Sequence, residues 1–312
     1  MTGMAEVSVS KCDMSVNIAG ITLKNPVMTA SGTFGSGMEY AEFVDLNHLG
    51  AVVTKGVSNV PWEGNPTPRI AETPSGMLNA IGLQNPGIDV FMERDLAFLR
   101  GYDTRVIVNV CGHTEDEYLE VVERLAGEKR ADMLEINVSC PNVKQGAIAF
   151  GTNADSLYRI TSRIKAIARQ PVIMKLTPNV TSIAETAKAA EAGGADAISL
   201  INTITGMKID VERQRFVLAN RTGGLSGPAI HPVAVRMVYE AAHAVSIPVI
   251  GMGGVQNAED AVEMMLAGAS AVAVGAANFY DPTVTEEILR GMEDYAMRHG
   301  LHAITELVGA VQ

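Results

Sequence analysis

Short apolar runs alternate along this chain with longer segments whose apolar positions recur every three or four residues. Eight runs stand out, at 26–31, 51–55, 105–110, 133–137, 171–175, 197–201, 248–252 and 271–274. Most are rich in Val, Ile, Ala or Met with little polar alternation, as expected of parallel strands buried on both faces. The segments between them carry helical periodicity, so the pattern predicts repeated βα units. One domain over residues 1–312 is expected, an α/β fold of the (β/α)₈ (TIM) barrel type. Two short stretches ahead of it, 7–10 and 15–18, predict an N-terminal hairpin. A doubly wound open sheet shares this rhythm, but the count of eight and the lack of an early GxGxxG turn favour the closed barrel.

Three connections are unusually long, 56–86, 138–153 and 202–229, and each follows the C-terminal end of a strand. In a (β/α)₈ barrel that is the face on which active sites are built. Side chains alternate across a strand, so Val53 shares a face with Lys55, Ile107 with Asn109, Glu135 with Asn137, and Ile173 with Lys175. If those faces point inward, Lys55, Asn109, Asn137 and Lys175 converge at the barrel mouth. Burying such groups without partners costs several kcal/mol, on the order of 2–7 for a neutral one, so a polar ligand is implied. Either lysine alone reads as a surface residue ending a strand, whereas two in matching positions suit an anion. Glu135 is a candidate buried counter-charge.

Across the predicted barrel, the seventh run leads into Gly251-Met252-Gly253-Gly254 and the eighth into Gly275-Ala276. One such turn needs only backbone economy; both together match the phosphate site that this fold builds after strands seven and eight. A ligand with its phosphate there and its head near strands two to five has the proportions of FMN. Cys140 lies in Asn137-Val138-Ser139-Cys140-Pro141-Asn142, in a long loop over the same face. A lone cysteine is ordinarily a small buried hydrophobe, the reading kept for Cys12 and Cys111. The two asparagines flanking Cys140 point instead to a reactive group.

Composition narrows the partners. A formal net charge of −11 argues against nucleic acid, and no apolar run reaches the length of a membrane span. A soluble chain without a targeting signal is expected. Three cysteines without a CxxC spacing fit a reducing cytoplasm and make neither a disulfide framework nor a zinc site. They are also too few for the usual four ligands of an iron–sulfur cluster, which would have to sit on another subunit. The six histidines show no HxxxH or HExxH spacing, so no metal is expected.

These motifs resemble the dihydroorotate dehydrogenase family over almost the whole chain. The most specific match is Asn137-Val-Ser-Cys-Pro-Asn-Val143; Asn79-Ala-Ile-Gly-Leu-Gln-Asn-Pro86 is similar to the family's substrate loop. Ile201-Asn-Thr-Ile-Thr-Gly206, Gly223-Gly-Leu-Ser-Gly227 and Gly251-Met-Gly-Gly254 follow in the family's order. The resemblance implies oxidation of dihydroorotate to orotate for pyrimidine synthesis. In it, FMN takes a hydride from C6 and Cys140 takes the proton from C5. It also implies that Lys55, Asn79, Ala80, Ile81, Gly82, Leu83, Asn137, Asn142, Asn202 and Thr203 surround the substrate. The flavin would be met by Ser31, Lys55, Gly56, Asn109, Asn137, Lys175, Ile201, Gly227, Gly253, Gly254, Gly275 and Ala276.

Cysteine as the base and no N-terminal extension set the chain apart from the membrane-associated class, which uses serine. Lys144-Gln-Gly-Ala-Ile-Ala-Phe-Gly151 looks like class 1B rather than the fumarate-reducing class 1A. Class 1B implies a heterotetramer built on a dimer of this chain, with an FAD and iron–sulfur subunit that passes electrons to NAD. The competing readings are another flavin-dependent dihydropyrimidine dehydrogenase, a non-catalytic flavin or phosphate barrel, and an aldolase or synthase with Lys175 as Schiff-base amine.

Overall fold

The computed structural model describes residues 12–138 and 150–312. Eight parallel strands close into a barrel in ring order: Val27–Thr29, Ala51–Val53, Arg105–Val110, Met133–Asn137, Val172–Lys175, Ala197–Leu200, Val249–Met252 and Ala271–Val274. Each lies within one of the eight apolar runs. Nearly every strand residue is buried, Arg105 at the foot of the third strand being the exposed one. One face of each strand packs into the interior and the other against helices, so a single polar substitution on either face meets no water.

Amphipathic helices cover the barrel. Glu115–Leu125 buries Tyr118, Val121, Val122 and Leu125, and Ala154–Ile167 buries Leu157, Ile160, Thr161 and Ile164, spacings that place each set on one face. Four helices begin on side-chain caps: Thr114, Asn153, Ser182 and Asn257 each accept from the backbone N–H three residues ahead. The first connection departs from the helical expectation: between the first two strands the regular structure is a short 3₁₀ turn, Leu46–His48. Among the described residues no helix is long and apolar enough to cross a membrane.

At the N-terminal end, Val16–Ile18 pairs antiparallel with Ile21–Leu23 across a turn at Ala19 and Gly20, both at positive φ. The other expected arm, 7–10, lies outside the described residues. Two of the long connections carry strands of their own. Ile70–Thr73 and Gly76–Asn79 form a hairpin after the second barrel strand; Ile204–Met207 and Thr222–Ser226 form another after the sixth. Gly76–Asn79 pairs with Thr222–Ser226, uniting both hairpins in one four-stranded antiparallel sheet.

Asn25 holds the opposite end shut. Its Oδ1 accepts from the backbone N–H of Val27 and of Gly50, both at 3.1 Å, and its Nδ2 donates to the carbonyl of His48 at 2.7 Å. The entries to strands one and two are thereby clamped by one buried amide. Asn25→Ala takes a partner from the Val27 N–H and from the His48 carbonyl, while the Gly50 N–H keeps the Val27 carbonyl, and is expected to lower the unfolding free energy by about 2 kcal/mol. Urea unfolding measures this, and an unchanged midpoint would refute the clamp.

Candidate active site at the barrel mouth

The inward faces of the third to sixth strands carry their polar residues to one place. Parallel register sets Asn109 beside Glu135, and Asn137 beside Lys175, which in turn lies beside Ser199. Glu135 is 1% exposed and accepts from three side chains: Asn109 Nδ2 at 2.6 Å, Ser199 Oγ at 2.9 Å and Lys175 Nζ at 3.4 Å. Lys175 Nζ also reaches across the barrel to Ser31 Oγ at 3.3 Å, just beyond the first strand. Glu135 is thus the counter-charge of a buried lysine, and an amine held in an ion pair is poorly suited to Schiff-base attack.

Above this network opens a cleft of about 1210 Å³ including its solvent-open part. Lys55, Asn79, Ile81, Gly82, Leu83, Asn137, Asn202 and Thr203 line it, and so do Ser31, Gly56, Asn109, Lys175, Ile201, Gly227, Gly253, Gly254, Gly275 and Ala276. The strand-end residues, the loop from Asn79 and the two glycine turns therefore share one cavity. Ala80 does not line it. Its side chain is buried with Ala71, Leu78 and Leu218, its N–H donates to Arg69, and its carbonyl accepts from Asn65, because alternation along the strand turns it away from its neighbours. Cys140 and Asn142 lie outside the described residues.

Within the cleft, Asn202 Nδ2 approaches Asn137 Oδ1 at 3.4 Å, and Asn202 Oδ1 accepts from the N–H of Thr203 at 2.8 Å. Tyr118 Oη donates to the Asn137 carbonyl at 2.7 Å and fixes the end of the fourth strand. Thr203 packs so closely on the small sheet that a Cβ on Gly224 would lie 1.9 Å from its Oγ1. That glycine lets the loop after strand six fold over the mouth. Of the six buried side-chain polar atoms without a partner among the described residues, one belongs to a residue that lines the cleft, Asn109 Oδ1.

The glycine turns divide into two kinds. Gly253 and Gly254 have φ of 132° and 72°, and a Cβ would sit 2.6 Å from Ala234 Cβ and 2.7 Å from His231 Cβ respectively, so protein packing alone requires them. Gly275 is different, because an added Cβ would meet only Ala30 Cβ, at 3.7 Å. Room for a side chain that the sequence omits points to close approach by something else. His231 braces the first turn: its Nδ1 lies 2.8 Å from the Gly253 carbonyl and its Nε2 3.1 Å from Glu263.

Sequence reasoning missed Ser199, His231 and the apolar wall formed by Ile70, Met77, Ile230, Met252 and Phe279. Ser199 carried a signal, a hydroxyl two positions before Ile201 inside an otherwise apolar run. His231 carried none, since its partners come from a distant turn and helix. Cys12 and Cys111 are buried, as their plain reading expected; burial pushes the Cys12 thiol above its ordinary range, and Glu306 and Asp13 add to this.

Comparisons with known proteins show what the chain resembles. The "Dihydroorotate dehydrogenase B (NAD(+)), catalytic subunit" of Lachnoclostridium phytofermentans is 64% identical over 298 residues, covering 96% of this chain and 99% of that one. The protein of the same name from Alkaliphilus oremlandii is 61% identical over 297 residues, 95% and 98% of the two chains. The crystal structure of DHODH from Eimeria tenella with ferulenol superposes with a TM-score of 0.80 at 24% identity, covering 98% of this chain and 90% of the other, a likeness of fold. The family model described as dihydroorotate dehydrogenase matches residues 13–295, and the chain belongs to the dihydroorotate dehydrogenase family.

Proposed function

We propose that this chain oxidises dihydroorotate to orotate as the FMN-binding half of a two-subunit, NAD-linked enzyme. The observation that carries the flavin reading is the buried Oδ1 of Asn109, without a partner among the described residues, on a side chain that lines the same cleft as Lys175. A buried acceptor without a donor costs about 1–3 kcal/mol, and the N–H of a flavin's imide edge is a donor of the right kind. The spare room at Gly275, beside Ala276, supports a phosphate near the seventh and eighth strands. When bound, FMN supplies the acceptor for the hydride leaving C6 of the substrate.

The residues of the chain have separable tasks in this reading. Asn79, Asn137, Asn202 and Thr203 offer amide and hydroxyl groups to the flat ring of the substrate, and Lys55 offers a cation to its carboxylate. Cys140 takes the proton at C5, which is acidified by the neighbouring carbonyl, and a thiolate is the competent form. Lys175 keeps positive charge beside the ring site, where negative charge accumulates as hydride leaves the substrate. The apolar wall and the four-stranded sheet exclude water from that chemistry.

Two features support an electron outlet on another protein. The relatives bear the name "catalytic subunit" with NAD(+) as their stated oxidant, and three cysteines are one short of an ordinary cluster's ligands. The partner is accordingly an FAD and iron–sulfur subunit, which co-purification with a yellow-brown, iron-containing protein would reveal.

The flavin reading is tested by colour: purified protein that stays without flavin absorbance after FMN is added refutes it. Cys140→Ala is expected to retain FMN and lose at least about a hundredfold in dihydroorotate oxidation, the usual scale of a positioned base; undiminished turnover overturns the assignment. Lys175→Met is expected to slow flavin reduction in single-turnover experiments more than it weakens dihydroorotate binding, and an effect confined to substrate affinity speaks against the role. Lys55 also sets substrate choice, so dihydroorotate should be turned over in strong preference to neutral dihydrouracil, and equal rates would refute that role.

A further inference from the structure

The network beneath the cleft contains a carboxylate that the proposed chemistry does not use. The geometry points to Glu135 as the positioning residue of the ring site, fixing which atom Asn109 shows to the ligand and where Lys175 holds its charge. This inference rests on the flavin reading above and concerns a residue with no part in proton or hydride transfer.

Hydrogen-bond accounting carries it. An ionised carboxylate only accepts, and the two Glu135 oxygens face three donors among the described residues. Oε1 takes the Asn109 amide N–H and the Lys175 ammonium, while Oε2 takes the Ser199 hydroxyl. With its NH₂ engaged at 2.6 Å, Asn109 has no freedom to flip, and its Oδ1 must remain the acceptor that was found unpartnered. Among the described residues the Ser199 hydroxyl has this one hydrogen bond and serves to hold the second oxygen, so the carboxylate itself cannot rotate freely. Lys175 is steadied between Glu135 and Ser31 on opposite sides of the barrel.

Stability does not explain this arrangement. A buried ion pair loses about as much in desolvation as it gains in attraction, and well-packed apolar side chains of similar volume serve a core as well or better. A glutamine at the same place keeps its oxygen for Asn109 and Lys175 and donates its NH₂ to the Ser199 oxygen, so it loses only the charge opposite Lys175; an apolar side chain loses both acceptors. The output of the network is the orientation of two groups that line the cleft.

The test is a double-mutant cycle on the FMN dissociation constant, read by flavin fluorescence, with Glu135→Leu made in the natural chain and in Asn109→Ala. Glu135→Leu is expected to weaken FMN about tenfold in the natural background. It should also shift the visible absorption bands of the bound flavin. In the Asn109→Ala background the further loss should shrink to less than about threefold, because the amide to be oriented is gone. Equal losses in both backgrounds, or none in the first, overturn the proposal. If Glu135→Leu fails to fold, Ser199→Ala replaces it, with an expected loss of about threefold that disappears in Asn109→Ala; unchanged FMN affinity there is equally fatal. A natural chain that binds no FMN at all refutes the flavin reading itself, a result distinct from both.

Discussion

Closure of eight parallel strands into a ring is the constraint from which the rest of the molecule follows. A closed ring leaves no edge, buries both faces, and drives every second side chain toward the axis. Low on the axis that space is filled by apolar groups such as Ile107, Met133, Ile173 and Ala197. At the C-terminal ends the same alternation delivers Asn109, Glu135, Lys175 and Ser199, and these satisfy their side-chain hydrogen bonds with one another, with Ser31 or with a ligand. The polar cluster is a consequence of strand geometry applied to a few well-placed residues.

That origin explains what was legible in the sequence. Strands buried on both faces appear as dense apolar runs, so all eight were found, and the i, i+2 rule then placed Lys55, Asn109, Asn137 and Lys175 in one cavity. The glycine turns after strands seven and eight were legible for the same reason, since they sit at the ends of recognisable strands. Ala80 shows the limit: taken with its neighbours as one loop segment, it directly follows the strand Gly76–Asn79 and packs with Leu78 on the side away from the cleft. The helical expectation for the first connection failed too, because the Leu46–His48 turn is all the regular structure there.

What stayed hidden depends on partners distant in sequence. Ile70–Thr73 is half exposed, and Thr222–Ser226 reads as a glycine-rich turn; neither has a burial pattern that announces a strand. They become strands only by meeting over the barrel mouth. His231 was similarly silent, because it answers to a carbonyl in another βα unit, whereas Ser199 carried a faint signal, a single hydroxyl in an apolar run. Local pattern reports the layers of a fold; the contacts that tie loop to loop are set by the assembled geometry.

The sheet over the mouth joins hairpins that rise from the second and sixth barrel strands, nearly opposite in the ring, and pairs Asn79 with Gly224. The two connections therefore behave as a bridge spanning the opening, with neither bank able to move or change length alone. An insertion in one has to be matched in the other or the register between Gly76–Asn79 and Thr222–Ser226 is lost. Variation over this face is thereby confined to coordinated changes in two segments some 140 residues apart in the chain, a restraint on divergence that a set of independent loops would not impose.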